Sequence, residues 1–143
     1  MNSKSKTVVN ILVFLAALFL VSTFQGRSTI AIDTDDNTLI LEAPDEFSLS
    51  IAYDQIETLE LCDLNDPGAA TSGGENRKCR WGEWENSTLG TYTQCTLKKV
   101  EPVIRLTTSG GDTVVFNYES EKTTTSLHQM LSDLLAHYGN ETT

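Results

Sequence analysis

Histidine, proline and closely spaced metal ligands are scarce in this 143-residue chain, which has two histidines, three prolines and three cysteines. The cysteines, Cys62, Cys79 and Cys95, are nowhere two to four residues apart, the spacing a structural zinc site uses, so no metal is expected. His128 and His137 lie nine residues apart, and on a helix nine steps of about 100° leave them on opposite faces. They cannot act as a catalytic pair. No glycine-rich phosphate loop with a lysine and no dinucleotide fingerprint after a strand is present, so no cofactor is expected. Paired carboxylates in a glycosidase arrangement are equally without support, because the acids fall on polar faces and turns where solvation explains them.

Positive charge is also sparse. Beyond Arg27 the chain carries 20 acids against 7 bases, a net charge of −13. Such a domain is repelled by nucleic acid and by anionic lipid headgroups, which excludes nucleic acid as a partner and disfavours phosphoinositides.

A fully apolar run of 20 residues is missing as well. The uninterrupted stretch is Ile11–Val21, and tolerating Asn10, Ser22 and Thr23 extends it to 17 residues, Val8–Phe24. That reaches the short end of a membrane span, roughly 17–25 residues. The following "LVSTFQGRS" has no A-x-A-like cleavage pair, which favours an uncleaved anchor over a signal peptide and secretion. Lys4 and Lys6 place the N-terminus in the cytoplasm and residues 28–143 outside the cytoplasmic membrane. No cysteine follows the run to accept a lipid. The chain therefore divides into residues 1–27, the membrane segment, and 28–143, one domain.

Within the domain, one-sided alternation marks strands at "STIAID", "TLILEA", "FSLSIAY" and "IETLELC". Residues 63–80, rich in Gly, Asn and Asp, read as a long irregular loop that holds Arg77, Lys78 and Arg80. Strand character resumes in "WGEWENSTLGTYTQCTL", and "PVIRLTTSGGDTVVFNY" forms a hairpin about Gly110 and Gly111. The period then changes: Leu127, Met130, Leu131, Leu134, Leu135 and Tyr138 form one helical stripe, with hydroxyls at Thr123–Ser126 to cap its start and Gly139 to end it. About seven antiparallel strands plugged by one C-terminal helix is the expected fold.

The ending carried by Val103, Ile104, Thr107, Gly111, Val115, Phe116, Asn117, Thr124 and Leu127 resembles that of bacterial pleckstrin-homology-like domains found behind membrane helices. The earlier strands match only in rhythm, and the likeness covers most of residues 28–137. It implies a partly open barrel and a non-enzymatic module that binds a protein or peptide through a sheet edge or the loops at one mouth.

Candidate contact residues are Arg77 and Arg80, with Trp81 and Trp84 flanking Gly82 beside the basic loop. The alternative is that one tryptophan fills the core and the other covers its edge. Three cysteines allow at most one internal bridge; Cys62 with Cys79 would staple the loop, and three free, partly buried thiols are the other reading. An enzyme or enzyme accessory would draw its site from the 63–80 loop with Cys79 or His128. Asp33, Asp35 and Asn37 imitate a calcium loop, but Thr38 stands where glycine is needed and Pro44 where the closing glutamate is needed, which leaves a solvated turn. Asn86-Ser87-Thr88 and Asn140-Glu141-Thr142 match the glycosylation acceptor pattern.

Overall fold

The structure is a computed structural model that describes residues 28–141, with side chains to Tyr138. The apolar run of residues 8–24 lies outside the described residues, and no described helix is long and apolar enough to cross a membrane.

Among the described residues nine strands and a short 3-10 turn at Tyr53–Gln55 precede one α-helix: β1 Ala31–Thr34, β2 Thr38–Ala43, β3 Phe47–Ala52, β4 Ile56–Asp63, β5 Ala69–Glu75, β6 Cys79–Asn86, β7 Gly90–Leu97, β8 Pro102–Thr108, β9 Thr113–Phe116 and α1 Glu121–Glu141. They form a three-stranded sheet, β1-β2-β3, and a six-stranded sheet, β4-β8-β9-β7-β6-β5, not one closed barrel. The count exceeds the expected seven for two reasons. The "WGEW" run folds back on itself at residues 87–89, and the expected 63–80 loop contains β5. Composition hid β5 because its Ala, Thr, Ser and Gly side chains carry no apolar alternation; the ladder to β6 makes it a strand.

The core lies between the sheets. Leu39, Leu41 and Ile51 of the small sheet meet Trp81, Cys95, Ile104, Leu106 and Phe116 of the large one, and Leu131 of α1 closes the same cluster. Alternation sends Leu39 and Leu41 inward and leaves Ser48 and Ser50 in water, as one-sided strands require. On the opposite face of the large sheet Trp84, Tyr92, Val103 and Val115 form a second cluster.

Residues 64–68 join the two edge strands of the large sheet and lie across this second cluster. Asn86 Nδ2 donates to Asp66 O at 2.8 Å, and Tyr92 OH donates to Pro67 O at 2.6 Å. Five strand spacings of about 4.8 Å would put the edges of a flat sheet roughly 24 Å apart, whereas six residue steps reach about 20 Å. The large sheet must therefore curl toward the second cluster.

Asn117 repairs the sheet where β9 stops short. Its Oδ1 accepts from Leu97 N at 2.6 Å and its Nδ2 donates to Leu97 O at 3.2 Å and Val100 O at 3.0 Å, so a side-chain amide takes the place of a further strand residue. The helix begins earlier than its hydroxyl run suggests: Ser120 caps it, with Oγ accepting from Thr123 N at 3.1 Å, while Thr124 is fully buried. It also continues past Gly139 to Glu141. Met130 is 42 % exposed and outside the packed stripe, because Leu127, Leu131, Leu134 and Leu135 already occupy the strip that meets the core.

Candidate functional site

The polar turn that imitates a calcium loop is held by two tyrosines. Tyr53 OH donates to Asp35 O at 3.0 Å and Tyr138 OH donates to Asp36 O at 2.7 Å, with the rings in edge contact 5.8 Å apart. Asp35 Oδ1 accepts from the amides of Asn37 and Thr38, which makes its carboxylate an internal turn ligand. Among the described residues no group of three or more His, Cys, Asp or Glu is arranged to hold a metal ion.

Neither tryptophan projects from the surface. Trp81 faces the main core and lies over Gly74 of β5, where a Cβ would come 3.1 Å from its ring. Trp84 faces the second cluster, donates from Nε1 to Trp81 O at 2.9 Å, and has the Arg80 guanidinium 6.0 Å from its ring centre. Their spacing of three positions on a strand puts them on opposite faces, so both are spent on packing. Gly82 between them has φ +90°, and a Cβ there would meet Ser72 O at 2.4 Å. Only glycine lets β5 and β6 come this close at their bulge.

No disulfide joins Cys62, Cys79 or Cys95. The Cys62–Cys79 bridge is not formed, since Cys62 packs against the second cluster and Cys79 is buried in the main core on the other face. Burial pushes the Cys79 thiol up, and its Sγ donates to Asn76 Oδ1 at 3.5 Å. That is a packed thiol, unlike the exposed, low-pKa sulfur of a nucleophile.

The pole of the large sheet holds a different constellation. Arg77 and Lys78 occupy the turn between β5 and β6, where Asn76 Oδ1 accepts from the amides of Lys78 and Cys79 at 2.8 and 2.9 Å. The β6–β7 register sets Cys79 opposite Leu97, which brings the next residues out, Lys78 and Lys98, side by side: Lys98 N donates to Lys78 O at 2.8 Å. Lys99 follows in the β7–β8 turn. Thr29, Arg77, Lys78, Lys98, Lys99 and Glu119 line a half-open cavity of about 660 Å³.

Four of the seven bases beyond Arg27 thus line one cavity of a domain whose net charge is −13. A fifth, Arg80, lines an adjoining cavity of about 320 Å³ that shares Leu97 and Lys98. Glu75 pairs with Lys98 at 3.0 Å and Arg80 at 3.5 Å, and the Lys98 ammonium holds its carboxyl below the usual range. Arg77, Lys78 and Lys99 make no ion pair among the described residues and are exposed. The cavity thus gathers three cations with no ion pair among the described residues, with Glu119 as the one acid in its lining.

Of the sequence candidates, Arg77 and Arg80 belong to this pole, whereas Trp81 and Trp84 do not line its main cavity. Neither Cys79 nor His128 lines it. Lys98 and Lys99 escaped notice because they stand some twenty residues away in sequence; the doublet at a strand end was the available signal. No family model matches this chain, and neither a curated protein nor a solved structure matches it.

Proposed function

We propose that this chain is a membrane-anchored, non-enzymatic binding module whose domain lies outside the cytoplasmic membrane and takes anionic groups at its cationic pole. The observation that carries this reading is the gathering of Arg77, Lys78, Lys98 and Lys99 around one cavity on an otherwise acidic domain. Random placement of seven bases among twenty acids would intersperse the signs. Here the sheet register assembles them. The likeness of residues 103–127 to pleckstrin-homology-like domains agrees with a binding role, although a fold alone does not fix function.

The test is a titration of the full chain with inorganic polyphosphate, followed by backbone amide shifts. Saturable shifts at Lys78, Lys98 and Lys99, with none at the distant Ser109–Gly111 turn, are expected. Absence of saturable shifts, or shifts spread evenly over the surface, refutes the reading.

A further inference from the structure

The cationic pole is also where the chain enters the domain. Asn76, the residue that organises the Arg77–Lys78 turn, donates from Nδ2 to Ser28 O at 3.0 Å, and Thr29 lines the cavity itself. Only Gln25, Gly26 and Arg27 separate Ser28 from Phe24, the last residue of the apolar stretch. Four residue steps reach at most about 14 Å. Headgroups occupy roughly 5–7 Å on each side of the hydrocarbon core, so the pole is held within about one Debye length, ~8 Å, of the lipid phosphates.

We infer that the pole docks on the phosphate headgroups of the bilayer that holds residues 8–24, and so orients the domain on the membrane. This rests on the anion-binding reading above and on the anchor reading of the N-terminal run. The two ends of the sheet are unlike. The pole carries Arg77, Lys78, Lys98 and Lys99, while the opposite end carries the β6–β7 turn Ser87–Leu89 and the β8–β9 turn Ser109–Asp112, neither of which has a base. Anionic lipid attracts the bases of the first, where Glu75 and Glu119 offset part of the charge, and pushes away the acids on the rest of the domain. Arg77, Lys78 and Lys99, exposed and without an ion pair among the described residues, thereby select one orientation of a domain tethered beside an anionic surface.

The experiment places the full chain in nanodiscs of phosphatidylcholine alone or mixed with phosphatidylglycerol, each with a trace of lipid bearing a paramagnetic headgroup, and measures broadening of backbone amides. In the mixed discs, amides of Lys78, Lys98 and Lys99 should lose their signal while those of Thr88 and Gly110 keep it. The contrast should vanish in phosphatidylcholine discs, in high salt, and in the triple variant R77Q/K78Q/K99Q, whose changes are all at exposed positions. Equal broadening in both lipids, an unaffected triple variant, or a chain that does not enter the discs overturns the inference. Saturable polyphosphate shifts without a lipid effect would overturn the bilayer as ligand and leave the anion site standing; capture of an acidic peptide that lipid does not displace would do the same in favour of a protein partner. No response to either probe removes both readings.

Discussion

Asn76 and Ser28 are joined by a 3.0 Å hydrogen bond from a side-chain amide to a main-chain carbonyl. That contact fastens the incoming chain to the turn that presents Arg77 and Lys78, while the Oδ1 of the same amide shapes the turn. One side chain thereby sets both the position of the chain at Ser28 and the geometry of the cationic cavity.

Glu75 is the carboxylate that tempers this pole, through Lys98 and Arg80. Replacing Glu75 by Gln frees both cations. Stability should move little, because the pairs are surface-exposed and screened by solvent. Affinity for polyphosphate and for anionic nanodiscs should rise severalfold and depend more steeply on salt; unchanged binding would mean that the cavity is not where anions act.

Asn117 both accepts from and donates to the β7 terminus while fully buried. Asn117→Ala should destabilise the domain by about 2–4 kcal/mol, since buried groups lose their partners. Asn117→Asp should be no better, as a carboxylate cannot donate to the carbonyls of Leu97 and Val100. Urea unfolding of both variants checks this, and a mild Asp variant would show that those two carbonyls need no donor.

Leu131 has no exposed surface and closes the main core from the helix side. Leu131→Ala should cost about 2–5 kcal/mol, and Leu131→Asp, which buries an unpaired charge, should abolish cooperative unfolding altogether. Met130→Asp, one residue away and 42 % exposed, should change the midpoint little. Thermal melts of the three separate a packed helix from one that merely lies nearby.

Burial pushes the phenols of Tyr53 and Tyr92 up to about 12 from an ordinary value of 10.0, aided at Tyr53 by Asp35. The neutral form is favoured in the folded state, so the unfolded chain releases these protons first as the pH rises. Their contribution is fully present below pH ~10 and is lost progressively as the pH climbs to about 12. Tyrosinate absorbance should show both titrating late and together with unfolding. Tyr53→Phe should remove part of the alkaline transition; an identical profile would mean that Tyr53 titrates freely.

Much of the domain was legible in the residues. Period-two alternation in "FSLSIAY" and "TLILEA" and the helical spacing of Leu127, Leu131, Leu134 and Leu135 each report the burial of one face, a local pattern that tertiary structure only completes. β5 was illegible, because its small polar side chains bury nothing and its state is decided by hydrogen bonds to β6. The same limit applied to Trp81 and Trp84: the type of residue implied contact, but which face each occupies depends on strand phase and on what covers the sheet.

Composition by itself determined a domain of net charge −13 with scarce histidine and no zinc-spaced cysteines, and an apolar segment ahead of it. These are sums over residues and need no coordinates. Where the few positive charges stand is not a sum. Lys78 and Lys98 meet only because β6 and β7 pair in one register, and Thr29 meets them only because Asn76 draws Ser28 to the same end of the sheet. Net charge predicts repulsion from every anion, whereas at distances near a Debye length the local arrangement of charges governs the field, and that arrangement was decided by the fold.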